Sequence, residues 1–342
     1  MKQALFKIRE QGKYGYMNAS GEVVIETQYV EAEDFYNGFA RVRFNDKLVP
    51  IDSLGRLLLK HLFNYVGYFE GELARVKLVS RWGFMDQRGN LAIPIQYDHA
   101  GDFSEGMAPV SLDGYFGYIN PAGEFQIMPQ FDEAWEFKGG LAPVQVEERY
   151  GYIDVNGNLA IEPAFDKAAP FYGAVAMVVR DGSWGLVNRA GELLLEPQFD
   201  LVDDFPNGEF YEGRAIIIQD YQFGFVDHQG RIVVEPSFDF AGDFGEGLAL
   251  VQRAGAYGYI DLEGKVCIPL QFEDAGMFSE GLAQVKQKER WGFINTDGEL
   301  VIPPAFEEVL PFRDGLAQVV YQGRWAYIDR FGDIVWREST LE

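Results

Sequence analysis

Trp291-Gly292-Phe293-Ile294-Asn295-Thr296-Asp297-Gly298-Glu299-Leu300-Val301-Ile302-Pro303-Pro304-Ala305-Phe306 is the stretch whose reading decides the fold. Its pattern is aromatic-Gly-aromatic-aliphatic-Asx-x-x-Gly, followed by an aliphatic run, Pro and Phe. The same pattern recurs along the chain. Its first Gly falls at Gly15, Gly83, Gly117, Gly151, Gly185, Gly224, Gly258 and Gly292, with Val49 and Ala326 in that slot of two degenerate copies. The step is 34 residues everywhere except from Gly185 to Gly224, where it is 39. In all ten copies an Asx residue is followed three positions later by Gly: Asn18, Asp52, Asp86, Asn120, Asp154, Asn188, Asp227, Asp261, Asn295 and Asp329. Periods of this length are the mark of repeat architectures.

The turn chemistry explains the spacing. An Asx side chain accepts hydrogen bonds from backbone amides just beyond it, and Gly tolerates the left-handed conformation that closes a type I turn with a bulge. Gly21, Gly89, Gly123, Gly157 and Gly298 are therefore structural turn residues. Each copy reads as strand, tight turn, strand. The first strand of the pair is apolar on both faces, so it is covered on both, and its Gly lets another backbone or ring come close. Gly-Leu-Ala-x-Val, as in residues 281–285 and 315–319, supplies a further strand upstream. Downstream, Pro94, Pro129, Pro163, Pro197, Pro236, Pro269 or Pro303 is expected to end the last strand, having no N–H for a ladder. The segment Phe131-Asp132-Glu133-Ala134-Trp135-Glu136-Phe137 has apolar residues three apart, which predicts a short helical turn capped by its Asp.

These elements define an all-β chain: a single domain over 1–342 built from about ten 34-residue, three-stranded antiparallel meander repeats. An open superhelix is the preferred arrangement, with a closed, propeller-like ring as the alternative, because the first copy starts on its own strand and the last ends on its own. One unit alone buries too little to fold; stacked units share a core. An irregular unit at about 40–70 lacks both aromatics and the Gly, and an insertion is expected at about 206–212.

The chain resembles the WG-repeat (KWG-repeat) family of mostly bacterial proteins. The resemblance rests on Arg81-Trp82-Gly83-Phe84-Met85-Asp86, Ser183-Trp184-Gly185-Leu186-Val187-Asn188 and Arg290-Trp291-Gly292-Phe293-Ile294-Asn295, with the downstream Pro-x-Phe-Asp and Gly-Leu-Ala-x-Val elements. It covers essentially the whole chain. Val49 and Ala326 depart from it, as do the six copies in which Tyr, Phe or Leu replaces Trp. The resemblance implies a β-rich array used as a binding or scaffolding module and supplies no catalytic residues.

Composition bounds the partners. The 53 acidic against 29 basic side chains leave a net charge of −24, which opposes nucleic acid and anionic membrane surfaces. No stretch is apolar and long enough to insert in a bilayer. The N-terminus lacks the apolar core of a secretory signal, so a cytoplasmic location is expected. No cofactor is implied. His61, His99 and His228 have no metal-ligand spacing, and Cys267, between Val266 and Ile268, reads as a small core residue. Carboxylates are spread by the repeat rather than gathered in one place, so no enzymatic activity is expected.

Two sets of binding residues stand out. Asp98, Asp132, Asp166, Asp200 and Asp239, continued by Glu273 and Glu307, recur once per copy, and stacking would align them into an acidic ridge for a protein partner of basic character. Phe210 and Tyr211 fall in the expected insertion, where added length often marks a binding face. The alternative is a carbohydrate or cell-envelope module using the repeated aromatics Trp82, Trp184, Trp291 and Trp325. Sequence leaves the oligomeric state open.

Overall fold

A computed structural model describes residues 4–58, 63–200 and 210–339. The described residues form ten antiparallel sheets, one per repeat, and no helix. The expected all-β repeat array is what the chain builds. Repeat 5 shows the plan: strands Leu141–Val146, Arg149–Asp154 and Leu159–Phe165 run as a meander, preceded by a two-residue strand, Glu133–Ala134. Contacts divide the chain into two compact units, Met1–Gln28 with Phe210–Glu342, and Tyr29–Glu209.

Every Asx turn forms as the spacing requires. In each of the ten repeats the Asx Oδ1 accepts from the backbone amides two and four residues on; Asp154, for example, takes those of Asn156 and Asn158, both at 2.9 Å. The side chain at the fourth position complements the Asx. Where the turn has Asn, Glu follows and accepts (Asn120 Nδ2 to Glu124, 3.0 Å); where it has Asp, Arg, Asn or Lys follows (Arg231 Nε to Asp227, 2.7 Å), except at Asp329, which is followed by Asp333. The closing Gly has a second role. A Cβ on Gly157 would lie 3.0 Å from Ile127 of the preceding repeat, and one on Gly123 would lie 3.2 Å from Ile93. The turn thus fixes the hairpin and seats it on its neighbour.

The marker Gly is required by a close approach of backbone. In repeat 4 the pairing of Tyr115–Ile119 with Phe125–Phe131 shifts register between Phe116 and Tyr118, so the last strand bulges over Gly117. A Cβ there would meet the Ile127 carbonyl oxygen at 2.5 Å and the Pro129 nitrogen at 2.7 Å. The degenerate copy with Ala326 lacks this feature. With Ala326, pairing runs directly through Ala326–Arg337 without the bulge. In the copy with Val49, Phe39–Phe44 pairs with Lys47–Asp52 and Ile51 bridges Leu57, and residues 59–62 beyond lie outside the described residues.

Three expectations are corrected. The Phe-Asp-x-Ala linker is not helical. Its Glu133–Ala134 pairs with Gln145 and Val144 of the next sheet, adding a fourth strand. A lone helical turn has an unfavourable nucleus, whereas the open edge of the next sheet offers a ready ladder. Second, Pro does not end the third strand. Phe125–Phe131 continues through Pro129, because this strand lies at the sheet edge and the missing N–H falls at the bulge. Third, Cys267 is exposed rather than core, its thiol directed at Asp261 Oδ2, 3.4 Å away. It sits on the outward side of that edge strand beside buried Ile268.

Repeats are joined by aromatic pairs at a fixed offset. The residue after the marker Gly meets a Phe nineteen positions on: Tyr118 with Phe137 at 4.7 Å, Tyr152 with Phe171 at 4.8 Å, Phe225 with Phe244 at 4.8 Å and Tyr259 with Phe278 at 4.9 Å. Such pairs are worth about 0.5–1.5 kcal/mol beyond the area they bury. The Tyr hydroxyls reach across as well: Tyr118 donates to the Trp135 carbonyl and Tyr152 to that of Ala169, both at 2.8 Å. Acidic side chains add a latch: Glu105 accepts from the amides of Gly139 (2.6 Å) and Gly140 (2.7 Å), and Glu246 and Glu280 hold Gly281 and Gly315 likewise.

The first and last repeats pack on each other within one unit, which the sequence did not show. Tyr327 donates to the Lys7 carbonyl at 2.8 Å and meets the Phe6 ring edge-on at 5.6 Å. Arg9 forks onto Glu338 (Nε–Oε1 2.9 Å, Nη2–Oε2 3.0 Å) and lies over the Trp325 ring at 4.6 Å. A Cβ on Gly21 would meet the Val335 carbonyl at 2.7 Å, so the terminal pair repeats the turn-on-neighbour contact of the interior.

Candidate functional site

The sequence-selected residues fall into different roles. Gly21, Gly89, Gly123, Gly157 and Gly298 all have left-handed φ, from 77° to 84°, as closing residues of the Asx turns. The acidic slot is committed within its own repeat. Asp98, Asp132, Asp166 and Asp239 each accept from the amide fifteen residues on, at 2.7–3.0 Å. That amide belongs to the first residue of a two-residue hairpin turn, which also has positive φ, as at Asp113 and Glu147. The Asp is therefore a cap, but of a β-turn. Arg81 and Arg149 add ion pairs to Asp98 and Asp166. Asp200 is exposed at the end of Leu193–Asp200, opposite Ser183.

Phe210 is 1% exposed, against 40% for Tyr211. Phe210 stands in the frame position of Phe137 and Phe171, since the Phe165–Phe171 spacing of six becomes eleven from Phe199 to Phe210. The five added residues therefore lie between Asp200 and Phe210, outside the described residues, and Phe210 is a core residue of its repeat. Of the repeated tryptophans, Trp184 is buried against Phe199, and Trp82 and Trp325 are half-buried against Tyr65 and Tyr14.

A cleft of about 760 Å³ in the Tyr29–Glu209 unit is bordered by repeats 3 to 6. Glu70, Asp102, Glu133 and Glu136 line it around Trp135, which is 48% exposed. A second cleft, of about 610 Å³, adjoins it and shares Glu133, Trp135 and Glu136 as its wall. Trp135 breaks the commonest pattern: its slot holds Gly67, Gly101, Ala169, Gly242 and Gly276 in five other copies, and Glu33 and Leu310 in two more. Sequence reading treated the whole linker as periodic and passed over this residue; a bulky ring in a small-residue slot was the available signal.

The carboxylates are held from several elements. Glu136 Oε1 accepts from the Asp102 amide at 3.1 Å, and Gly101 is what permits it, since a Cβ there would lie 2.6 Å from that oxygen. Asp102 Oδ1 faces Arg75 Nε at 3.1 Å. Burial pushes the Asp102 carboxyl above its ordinary range, Arg75 opposes this, and Glu136 and Glu70 add to it. Tyr150 donates to Glu133, and burial followed by this bond raises the Tyr150 phenol. Glu70 lies one residue before the latch slot, in the position that holds Ser104 in repeat 4 and Lys138 in repeat 5; it lines the cleft, and the Lys138 ammonium is over the Tyr172 ring at 5.2 Å.

Ser111 lines the second cleft, is 1% exposed, and its hydroxyl has no hydrogen-bond partner. His99 pairs with it across the strands, and Asp98 is adjacent. The three are not wired as a charge relay, because the hydroxyl is unbonded and Asp98 is held by Arg81 and the Asp113 amide. Among the described residues no group of three His, Cys, Asp or Glu is placed to hold a metal, and no helix is long and apolar enough to cross a membrane. His61 lies outside the described residues, and His99 and His228 are exposed.

Comparison with known proteins places this geometry. The WG containing repeat family model matches nine successive segments, from residues 14–47 to residues 291–325. The chain belongs to that family. No curated protein sequence matches it. Among solved structures, a eukaryotic initiation factor is similar at 11% identity with a TM-score of 0.52, covering 98% of this chain and 96% of that one. That likeness concerns the fold alone. The AfRom2 CNH domain (12% identity, TM-score 0.35, 82% and 95% covered) and Kluyveromyces lactis Hsv2 (12%, 0.34, 73% and 89%) are more distant.

Proposed function

We propose that the chain is a non-enzymatic interaction scaffold, working in the cytoplasm, that holds a basic partner protein against the acidic surface of its Tyr29–Glu209 unit. One observation carries this reading. The periodic Asp residues are committed to their own turns, whereas Glu70, Asp102, Glu133 and Glu136 converge from successive repeats on one cleft with an exposed ring. Repetition accounts for the first set; in the second only Asp102 and Glu136 share a slot, and Glu70 and Glu133 come from two others. Charge of this sign speeds encounter with cations and is weakened by salt.

The test is binding of fluorescent lysine- and arginine-rich peptides to the full chain, alongside glutamate-rich peptides and soluble glycans, from low to high salt. The reading expects basic peptides to bind, affinity to fall with salt, and a triple Glu70→Gln, Glu133→Gln, Glu136→Gln variant to lose most of it. Retention of glycans at all salt concentrations, with no preference for basic peptides, would replace it with the carbohydrate-binding alternative.

A further inference from the structure

Of the six tryptophans, five have a ring or cation partner. Trp184 meets Phe199, Trp336 meets Tyr327, Trp82 is under Lys77 at 5.0 Å, Trp291 under Lys286 at 5.9 Å and Trp325 under Arg9 at 4.6 Å. Among the described residues Trp135 has neither. Yet it sits between Glu133 and Glu136, in a cleft that Glu70 and Asp102 also line. The terminal repeats show what completes such a group: Arg9 stacks on Trp325 and forks onto Glu338 at 2.9 and 3.0 Å. The cleft has the indole and the carboxylates, with Lys138 and Lys167 also on its border, but among the described residues no cation is stacked on the indole.

Resting on the scaffold reading, we propose that the Trp135 cleft recognises an arginine side chain of the partner, its guanidinium stacked on the indole and bonded to the surrounding carboxylates. A planar, weakly hydrated guanidinium suits an exposed ring flanked by carboxylates better than a compact ammonium does. Lys138 does not supply the cation, being over Tyr172. An independent feature on the far side of the same wall points to a bound chain. The buried Ser111 hydroxyl is unsatisfied, and buried polar groups ordinarily have partners, so a peptide group reaching past Trp135 would complete it.

The experiment follows the indole N–H resonances of the full chain, with Trp135 assigned by Trp135→Phe, during titration with a capped Gly-Arg-Gly peptide, its lysine counterpart and its citrulline counterpart. The arginine peptide is expected to move the Trp135 signal, the lysine peptide to bind about five- to tenfold more weakly, and neutral citrulline not to bind. Trp135→Leu and Glu136→Gln should each lower arginine affinity by a similar factor, with thermal stability checked to separate binding from folding. Equal binding of arginine and citrulline, or an arginine affinity unchanged by Trp135→Leu in a folded variant, overturns the assignment. Salt-sensitive binding of longer basic peptides that survives Trp135→Leu would leave the scaffold reading standing and refute the arginine cleft. Absence of any basic-peptide binding would refute both.

Discussion

Substituting Gly117 tests the packing logic of the whole array. Its φ is not in the left-handed region, so Ala or Val meets no backbone strain there, and the cost is purely one of space. The obstructing atoms are backbone: the Ile127 carbonyl oxygen at 2.5 Å, the Pro129 nitrogen at 2.7 Å and the Met128 carbonyl carbon at 2.8 Å. None can swing aside as a side-chain end would. The last strand must therefore lift, weakening the flanking pairs Phe116–Phe131 and Tyr118–Ile127. Overpacking costs typically 1–3 kcal/mol, and each ladder bond lost about 0.5–1.5 kcal/mol. Together these give about 2–4 kcal/mol for Gly117→Ala and more for Gly117→Val. In a unit the size of Tyr29–Glu209, that lowers the melting temperature by about 5–15 °C.

Gly114 provides the control. Its φ is +90° and nothing lies within 4 Å of its would-be Cβ, so Gly114→Ala meets conformational strain without a clash, about 1–2 kcal/mol. Calorimetry and urea titration of the two variants should rank Gly117→Ala as the more damaging, with faster amide exchange confined to residues 125–131. A Gly117→Ala melting point equal to the parent, or a loss no greater than that of Gly114→Ala, refutes the reasoning. The chain already contains the outcome in miniature: Ala326 is accommodated only by pairing without the bulge.

Phe210→Ala should cost about 3–5 kcal/mol, as for a filled core site, and Tyr211→Ala no more than about 0.5 kcal/mol; urea midpoints of the two separate core from surface roles. The backbone amides of the following turn residues, foremost that of Asn158, hold the Asp154 carboxyl below its usual range, and Lys265 and its neighbours do the same for Asp261. Because the folded pKa is the lower one, this stabilisation is complete above the unfolded value near 4 and disappears as pH falls through the folded values. Stability measured from pH 5 to 2 should drop accordingly, and Asp154→Asn should make the drop shallower. Glu338→Gln should destabilise the unit of terminal repeats by about 1 kcal/mol, since it removes a half-buried fork to Arg9; a double-mutant cycle with Arg9→Met should recover a coupling of that size.

The turns and the marker Gly were legible because each is a local requirement that recurs unchanged. Asx at one position and Gly three later have one common physical reading, and ten repetitions remove the ambiguity. The linker was misread because Phe131, Ala134 and Phe137 have helical spacing, although their backbone bonds go to the next sheet; pairing across repeats is invisible to a local window. Cys267 was misplaced for a related reason. The apolar residues in its slot, such as Val301 at 40% exposure, reflect strand propensity on an outer edge rather than burial. The packing of repeat 1 on repeat 10 joins residues some 320 positions apart, Tyr327 to Lys7, and no periodicity announces it.

The same distinction governs where function is to be sought. In an array, whatever recurs is explained first by stacking: Asp132 caps a turn, as do its counterparts Asp98, Asp166 and Asp239, so an alignment of such residues into a ridge says little about a partner. Information lies in departures from the period. Trp135 stands where the adjacent repeats have Gly101 and Ala169, and it borders the cleft that the carboxylates line. A bulky ring in a slot built for a small residue brings stacking no benefit, since it leaves about half of its surface in water. The linker backbone around it is unchanged, with Tyr118 still bonded to its carbonyl, so the framework tolerates the ring without requiring it. What the ring does must therefore be found outside the repeat, in whatever the cleft accepts.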